Sequence, residues 1–525
     1  MPERVNEHKS RIYILGLDGA TWNVIDPMIE KNQLPNIKRV IDGGVRSNLR
    51  SLEFTASPRV WTSIATGKVE QKHGILDFYN TIRDLKAKRF WNILQEKRDE
   101  TANIFYWYLS WPPPKDFKDI MVPGFLARDS RTIPEDLGFL KDIELTQKMK
   151  LQESYDKTGI GYYIKQALAA KRNGVRLSTM MKAASFMVGR KFRNYSELES
   201  FLKLQYIKFH LHTDVFSHLL KTRPTDISAI MLPQTDQLGH KFWSFMQPEE
   251  FEKRTGVKVD PALRNKYGNV IHDTYRKIDK FVGEVFDIMS EDDVLILLSD
   301  HGFGLVDEIF ASLKIKSKDI LETVGLKDAA HCVTIGSSYI IQIDDPKRKN
   351  EIEQIAAVFR NIKIVDKEQP IFNVKTNEQE IVLELQDLFL MNIDDANDFL
   401  GKKIQVGDKV VPAETIFVNR ADITGVHEEL GVLIMNGKNI RKNASISETF
   451  VCDIMPTILY LRDLPVGKDM DGKVITEAIE PSLLKEREVQ FIDTYETDEQ
   501  SDKNDDEDFS MTDDLESRLE SLGYL

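Results

Sequence analysis

Acidic and histidine side chains that could bind a metal ion occur in four short clusters along the chain. Mixed carboxylate and imidazole ligands suit zinc, manganese or iron, whereas sites built from oxygen ligands alone suit magnesium or calcium. Each cluster by itself also has an ordinary explanation, such as a helix cap or a turn after a strand. The clusters are LGLDGATW with Asp18, LPQTDQLGHKFW with Asp236 and His240, LLSDHGFG with Asp300 and His301, and TGVHEELG with His427.

A fifth segment, TASPRVWTSIATGKVEQKHGI (55–75), contributes hydroxyl groups. Ser57 is followed by Pro58, a pair typical of a helix N-cap with proline in the first turn. A hydroxyl at a helix N-terminus is also well placed to attack an anionic phosphorus centre, because the backbone N–H groups attract the anion. The capping role and a nucleophilic role are compatible with each other.

The elements that must position these side chains are buried strands. Helical patterns alternate with the apolar runs, which predicts a doubly wound, mostly parallel α/β sheet with helices on both faces. Such sheets bind ligands at the carboxyl ends of their strands. Asp18, Asp236 and the Asp300–His301 pair all follow apolar runs, so we expect them to meet at one edge. The runs are RIYILGLDG (11–19), TANIFYWYLS (101–110), DISAIMLPQTD (226–236) and DDVLILLSDHG (292–302).

The segments 141–215 and 344–421 depart from this alternation of strands and helices, which predicts that they are insertions into the core domain. The expected organisation of the chain therefore has six parts. They are a first core part with a metal ligand and the nucleophile (1–140), a basic helical insertion or cap (141–215), a second core part with metal ligands (216–343), a mixed α+β insertion (344–421), a last core part with the final histidine (422–490), and an acidic, partly disordered tail (491–525).

The net charge of −13 is unevenly distributed. Residues 497–517 carry ten acids against one lysine, a composition typical of a solvated tail. Residues 148–208 carry thirteen Lys and Arg against four acids. This basic segment could pack on its own protein, touch a membrane surface, or bind an anionic partner. Its charge is opposite to that of the tail, and we expect the two segments to interact.

Composition excludes several classes of protein. Two cysteines, Cys332 and Cys452, cannot form a disulfide framework or a thiolate zinc site. A pI near 5.4 argues against a protein that coats nucleic acid, so no nucleic-acid polymer is expected as a partner. The segment Met1–Arg11 lacks the apolar core of a signal peptide, and no run of about 18 apolar residues could span a bilayer. We therefore expect a soluble, cytoplasmic protein.

The motifs above occur in the order found in the alkaline phosphatase superfamily, and the chain most resembles the type I phosphodiesterase/nucleotide pyrophosphatase family. The resemblance runs from about Arg11 to Lys473, with the two insertions between its parts. It implies two bound divalent metals, most often zinc, with manganese as an alternative. It also implies that Asp236, His240 and His427 hold one metal, and that Asp18, Asp300 and His301 hold the other.

The resemblance places the nucleophile ten residues before Gly67, which is Ser57, and makes its oxygen a metal ligand as well. Many members have threonine there, with an asparagine three residues later that helps to hold the phosphate. This chain has Val60 at that later position, so phosphate binding must come from elsewhere. Asn103 and the basic segment are the candidates, whereas Thr55 is out of register for the nucleophile.

The activity implied is hydrolysis of a small anionic phosphoester through a phosphoseryl intermediate, by a phosphodiesterase or nucleotide pyrophosphatase. A phosphomonoesterase, phosphomutase or phosphoryl transferase could use the same residues, and a non-catalytic binding protein could keep the fold. A sulfatase is disfavoured, since its signature needs proline two and arginine four residues after the modified residue. In this chain Pro58 and Arg59 follow Ser57 at one and two.

Overall fold

A computed structural model describes most of the 525-residue chain. The described residues are 10–113, 117, 119–124, 130–142, 160–306, 313–335, 338–345, 347–365, 367, 369–377, 380–386, 396–419 and 423–497. The acidic run predicted from Asp498 onwards and residues 148–159 of the basic segment lie outside this set.

Helices and strands alternate through the first half of the chain, as the sequence pattern predicts. The strands are β1 Ile12–Leu17, β2 Gly44–Arg50, β3 Ala102–Phe105, β4 Ile120–Val122, β5 Ile227–Leu232, β6 Val294–Leu298, β7 Gly302–Leu305, β8 Leu313–Ile315, β9 Ala330–Ile335, β10 Ser338–Ile343, β11 Lys363–Ile364, β12 Phe372–Thr376, β13 Glu380–Leu385, β14 Lys403–Val406, β15 Lys409–Pro412, β16 Phe417–Asn419, β17 Gly425–Glu428, β18 Leu430–Gly437, β19 Ala444–Ser445, β20 Thr449–Phe450, β21 Val466–Gly467 and β22 Phe491–Ile492.

Short 3₁₀ turns accompany the α-helices at Glu135–Leu137, Lys349–Glu351, Val451–Asp453 and Thr476–Ala478. The α-helices are α1 Trp22–Glu30, α2 Pro35–Asp42, α3 Ser57–Thr66, α4 Glu70–His73, α5 Phe90–Arg98, α6 Ile160–Arg172, α7 Leu177–Phe192, α8 Glu197–Thr222, α9 Gln234–Met246, α10 Pro248–Thr255, α11 Pro261–Tyr267, α12 Val270–Phe286, α13 Ser317–Thr323, α14 Ile352–Arg360, α15 Ala396–Leu400, α16 Ala413–Ile416, α17 Ile454–Leu461 and α18 Pro481–Glu486.

The described residues divide into two compact units. The first takes its residues from 10–238, 272–303 and 429–497, and the second from 239–271 and 304–428. The larger sheet lies within the first unit. The second unit has a separate hydrophobic core. No helix in the described ranges is both long enough and apolar enough to cross a membrane.

The first unit is built on one sheet in the order β19-β2-β18-β6-β1-β5-β3-β4, with β20 also paired to β2. Strand β1 lies in the middle and pairs in parallel with β5 on one side and β6 on the other. Parallel pairing continues from β5 to β3 and β4, whereas β18 runs antiparallel between β6 and β2. The chain therefore moves outward from β1 in both directions. With right-handed crossovers, this places the connecting helices on opposite faces, which confirms the predicted fold class.

Burial on both sides explains why the central strands read as continuous apolar runs rather than alternating ones. Every residue of β1, β5 and β6 is buried. Parallel sheets covered by helices on both faces have this signature. The predicted runs at 11–19, 226–236 and 292–302 are therefore confirmed as strands, and the run at 101–110 contains the shorter strand β3.

The second unit is a mixed α+β structure with its own core. Its largest sheet has the order β12-β13-β10-β9 and is antiparallel throughout. A three-stranded sheet, β11-β14-β15, and the pair β16-β8 complete the strands of this core. Helix α14 packs Ile355, Ala356 and Phe359 into the same cluster as Ile341 and Leu383.

Close packing against β1 requires glycine at one position. A Cβ atom added at Gly16 would lie 2.5 Å from Cη2 of Trp61, which is shorter than any normal carbon contact. The Trp61 ring is fully buried and packs edge-on against Trp107 at 4.9 Å between centroids. The indole nitrogen of Trp107 also donates a hydrogen bond to the Trp61 carbonyl at 3.3 Å. The indole of Trp61 is therefore held against Gly16 and has little room to move.

We predict that Gly16→Ala destabilises the protein, because the added methyl group must displace a buried indole. Overpacking of this kind costs about 1–3 kcal/mol in the free energy of unfolding, measurable by denaturant titration. The matched control is Gly161→Ala in α6, where an added Cβ meets nothing within 4 Å. That variant should gain about 0.5–1 kcal/mol from the lower flexibility of its unfolded state. Equal effects at both positions would contradict the packing argument.

Candidate active site

Three adjacent parallel strands end at one edge of the sheet and bring acidic side chains together there. Asp18 follows β1, Asp300 follows β6 by one intervening residue, and Asp236 lies at the start of α9 just after β5. Asp18, Asp236 and His301 each offer one ligand atom, and these atoms lie within 4.8 Å of one another. All four side chains are buried. The expectation that these residues meet at the carboxyl ends of the strands matches their placement.

Backbone hydrogen bonds fix the loops that carry these side chains. The Gly19 amide donates to Asp300 Oδ1 at 3.2 Å, which ties the loop after β1 to the loop after β6. The Thr235 hydroxyl donates to the Asp18 carbonyl, which ties the same loop to the start of α9. Gly19 has a positive φ of 67°, and a Cβ there would lie 3.3 Å from the Cβ of Asp236. Glycine is needed at this position for both reasons.

The buried carboxylates repel one another strongly. Burial, together with the negative charges of Asp300 and Asp236, raises the pKa of Asp18 well above its usual value. Burial also raises the pKa of Asp300. For His301, burial alone would lower the pKa, but Asp300, Asp18 and Asp236 outweigh it and raise the pKa. The cluster therefore has an excess of negative charge that a cation would offset.

The oxygen atoms of the cluster also fit a cation. Asp18 Oδ2 and Asp300 Oδ2 are buried and accept no hydrogen bond from any residue that the structure describes. His301 Nδ1 faces the Gly302 carbonyl at 2.8 Å, so Nδ1 carries the proton and Nε2 presents its lone pair in the neutral ring. His301 Nε2 lies 3.5 Å from both Asp18 Oδ1 and Asp300 Oδ2. Two carboxylates and one imidazole are a donor set that suits zinc or manganese.

The hydroxyl of Ser57 makes a hydrogen bond to a carboxylate of this cluster. Ser57 is fully buried, and its Oγ donates a weak hydrogen bond of 3.4 Å to Asp18 Oδ1. It is the first residue of α3, and Ala56 precedes it as the N-cap without a side-chain capping bond. The prediction that Ser57 caps this helix is therefore wrong. Its side chain points to Asp18 instead, because the extended backbone that a cap requires occurs one residue earlier.

The remaining two predicted ligands, His240 and His427, form a pair within the second unit. Their Nε2 atoms lie 3.1 Å apart. His240 Nδ1 faces the Gly425 carbonyl at 2.9 Å, and a carbonyl can only accept, so this nitrogen carries the proton. His240 Nε2 therefore presents its lone pair, which is the arrangement that metal-binding histidines commonly have. Asp236 precedes His240 by one turn on α9, so both side chains lie along the same side of that helix.

Asn103, the predicted phosphate contact, is not brought to this edge. In the sheet register, Asn103 and Tyr13 both align with Ser228, at the amino-terminal end of their strands. Tyr13 is five residues before Asp18, which corresponds to roughly 16 Å along the strand at the usual rise per residue. Asn103 therefore lies near the amino-terminal ends of β1, β5 and β3, whereas the carboxylates lie at the carboxyl ends. This placement does not support its predicted contact with substrate.

Tyr108, in the aromatic run after β3, is buried and lies close enough to the carboxylates to be affected by their charges. Burial, and then the charges of Asp18, Asp236 and Asp300, raise the pKa of Tyr108 well above its usual value. The Tyr108 phenol is therefore protonated and can donate a hydrogen bond. In the sequence, the feature that could have pointed to Tyr108 is its position just after a predicted strand, at the edge of the sheet where ligands are expected to bind.

The backbone around Tyr108 has two residues in the left-handed region. Tyr106 and Leu109 have φ angles of 62° and 49°. Such conformations are costly for side chains other than glycine, and they concentrate at functional sites. Arg89 donates through Nη1 to the Leu109 carbonyl at 2.5 Å, and thereby holds the turn from outside.

Ser63 and His73 are as close to each other as the serine and histidine of a hydrolase dyad, but the direction of their hydrogen bond is the reverse of the one that a dyad needs. Ser63 Oγ lies 2.9 Å from His73 Nε2. His73 Nδ1 accepts from the Ile75 amide at 3.1 Å, so the proton of the neutral ring is on Nε2. Burial lowers the pKa of His73 to about 3, with Arg59 adding to the effect. His73 therefore donates to Ser63 and cannot take its proton, which makes the pair structural.

The comparison with protein families agrees with this geometry. The model of the family described as type I phosphodiesterase / nucleotide pyrophosphatase matches residues 13–392, well over half of the chain. Among curated proteins, no match was found. Members of this family hydrolyse phosphoester or phosphoanhydride bonds of small substrates and generally depend on divalent metals. The chain belongs to the type I phosphodiesterase/nucleotide pyrophosphatase family and is a hydrolase of phosphoester or phosphoanhydride bonds.

Proposed function

We propose that this chain is a metal-dependent phosphodiesterase or nucleotide pyrophosphatase that acts through a phosphoseryl intermediate on Ser57. The observation that carries the proposal is the position of the Ser57 hydroxyl. It is buried, at the N-terminus of α3, and against Asp18 in a cluster of carboxylates with raised pKa values. A helix N-terminus attracts anions, so this is a favourable place for a phosphoester to bind next to a nucleophile.

In the proposed site, Asp18, Asp300 and His301 would hold one divalent metal, together with Ser57 Oγ. Asp236, His240 and His427 would hold the other. Zinc is the expected metal because the donors are mixed oxygen and nitrogen atoms, and manganese is the alternative. Bound divalent ions would stabilise the charge that develops on the phosphoryl oxygens and lower the pKa of the Ser57 hydroxyl.

The proposed reaction has two displacements. Ser57 Oγ attacks phosphorus, the bond from phosphorus to the leaving oxygen breaks, and the product alcohol or phosphate departs with a proton. Water then attacks the phosphoseryl group, which releases the second product and restores the Ser57 hydroxyl. Before attack, the Ser57 proton points to Asp18 Oδ1 at 3.4 Å. The buried position of Ser57 excludes bulk water from the first step.

Tyr108 is our candidate for the phosphate contact that the missing asparagine would have made. Val60, at the asparagine position, is buried and apolar and offers no donor. Burial, and then the charges of Asp18, Asp236 and Asp300, raise the pKa of the Tyr108 phenol, so it stays protonated near the carboxylates. A phosphoryl oxygen in the cluster would accept a hydrogen bond from it.

Two further parts of the proposal concern location and organisation. Cys332 and Cys452 are buried free thiols, which supports a cytoplasmic location, since thiols persist in reducing compartments.

The six-part organisation of the chain, with insertions at 141–215 and 344–421, also remains our proposal. An insertion between β6 and β18 is supported by their pairing, since they are neighbours in the sheet although residues 299–429 separate them in sequence.

We predict that Ser57→Ala lowers turnover by a factor of roughly 10³ or more while the metal content stays unchanged, because the nucleophile is lost but the other ligands remain. The substrates to compare are bis(p-nitrophenyl) phosphate and p-nitrophenyl phosphate, which separate a diesterase from a monoesterase. Thr55→Ala is the matched control and should keep activity. Wild-type turnover in Ser57→Ala would disprove the nucleophile assignment, and bound metal without turnover on either ester by the wild type would favour a binding protein.

We predict that Asp300→Asn has opposite effects on stability in the absence and presence of metal. Without metal, removing one of the repelling carboxylates should stabilise the fold by roughly 0.5–2 kcal/mol, as relief of functional-site strain often does. With zinc or manganese, the rise in melting temperature seen in the wild type should be reduced, because a ligand is lost. Thermal unfolding in a chelator, then with each metal, measures both effects.

The control for this experiment is Asp279→Asn. Asp279 is buried and accepts hydrogen bonds from the Asn36 and Ile37 amides and from the Asn36 side chain. This variant should be less stable with or without metal and should keep the metal-induced rise. A full metal-induced rise in Asp300→Asn would show that Asp300 is not a ligand.

We predict that Tyr108→Phe lowers kcat/KM by about 10–100-fold, since a hydrogen bond to a charged group contributes about 1.5–3 kcal/mol. The ring, which packs edge-on to Phe78, is kept in this variant. Tyr460→Phe is the control, because the Tyr460 hydroxyl donates to the carbonyls of Leu483 and Arg487, away from the carboxylate cluster in sequence and in its hydrogen bonds. That variant should lose stability without a change in kcat/KM. Unchanged kcat/KM in Tyr108→Phe would remove the phenol from the site.

A further inference from the structure

Helix α7 exposes a row of large apolar side chains along its outer side. Leu177, Met181, Val188 and Phe192 have 71%, 64%, 60% and 77% of their surface accessible to solvent. Their spacing of four, seven and four residues places them within an arc of roughly 60° on a helix with 3.6 residues per turn. The row therefore forms one continuous apolar stripe over four turns, about 24 Å long.

The opposite side of α7 is already packed, so the stripe is not simply a misplaced core face. Phe186 is buried and stacks on Tyr195 with 6.0 Å between ring centroids. The Thr179 hydroxyl donates to Asp214 of α8 at 2.6 Å. These buried residues lie about 180° around the helix from the stripe, given 100° per residue. Helix α7 is thus held in place by α8, and its apolar stripe is turned outward.

The surroundings of the stripe are strongly basic. From residue 160 to residue 196 the sequence contains eight Lys and Arg and no Asp or Glu. Helix α6, just before α7, exposes Ile164 and Leu168 one turn apart. The exposed cations are Lys165, Lys171, Arg172, Arg176, Lys182, Arg190 and Arg193.

We propose that α7 binds the surface of an anionic lipid bilayer, with Leu177, Met181, Val188 and Phe192 inserted among the acyl chains. Helix α7 combines an exposed apolar stripe with exposed basic residues within and next to the helix, and this combination is found in helices that lie in a membrane interface. Long basic side chains can reach from the sides of the helix to the headgroups while their stems cover apolar surface. Each cation near an anionic leaflet contributes about 1 kcal/mol. Residues 160–196 contain no acid, and of their cations Arg176 is paired with Asp214 and Glu284.

Charge also favours an anionic bilayer over a second copy of the chain as the partner of α7. An interface between two α7 stripes would bring two sets of basic side chains close together without an acidic residue from the segment to offset them. Anionic phospholipid headgroups supply the complementary charge. Binding through α7 does not depend on which phosphoester Ser57 attacks.

The test uses the full chain in flotation with vesicles of phosphatidylcholine alone and of equimolar phosphatidylcholine and phosphatidylglycerol. We expect binding to the anionic vesicles, at least 10-fold weaker binding to the neutral ones, and release at high salt. The double substitution Val188→Glu and Phe192→Glu should reduce binding to the anionic vesicles by at least 10-fold. The matched control is Val410→Glu, which changes a valine that is 56% exposed on β15 and should leave binding unchanged. Both variants should keep the wild-type melting temperature, because the altered side chains are exposed.

Three outcomes would overturn the proposal. The first is no binding to anionic vesicles, or equal binding by the stripe variant and the wild type. The second is a concentration-dependent dimer that the stripe variant abolishes, which would make a second copy the partner. The third is binding that appears only in a chain truncated after Thr497, which would show that the acidic segment 498–525 covers the stripe.

Discussion

The repulsion among Asp18, Asp236 and Asp300 is the constraint on which the rest of the structure depends. Three carboxylates are buried at the ends of three adjacent strands, and burial, with their mutual repulsion added to it, raises the pKa values of Asp18 and Asp300. A fold can hold such a cluster only if other interactions force the loops together. In this protein the parallel pairing of β6, β1 and β5 brings the strand ends side by side, and hydrogen bonds from Gly19 and Thr235 lock the loops.

This arrangement links stability to chemistry. The same excess of negative charge that destabilises the metal-free protein is what a divalent cation needs, and it adds to the effect of burial in raising the pKa of the Tyr108 phenol. Helix α3 contributes from the other side, since its N-terminus places Ser57 against Asp18. The site is therefore made from strand ends that supply ligands and a helix start that supplies the nucleophile, as expected for a phosphoester hydrolase of this family.

The distribution of charge along the chain, rather than the net charge, determines which charged partners the protein can bind. The net value of −13 would suggest a molecule repelled by anionic partners. Most of that charge lies in 497–517, whereas helices α6 and α7 belong to a segment without acids. The exposed apolar stripe of α7 adds a feature that no charge count contains, because it depends on which side of the helix packs on α8.

The sequence by itself determined the doubly wound fold class, the family, and the placement of Asp18, Asp236 and Asp300 at strand ends. These depend on local patterns: apolar runs, their lengths, and motifs in a fixed order. Only the tertiary structure decided that Ser57 lies inside α3 and points to Asp18, that Asn103 lies at the far end of its strand, and that β18 runs antiparallel. The physical reason is that register, strand direction and the direction of a side chain are set by pairing between segments hundreds of residues apart, whereas propensity and periodicity report only on near neighbours in the chain.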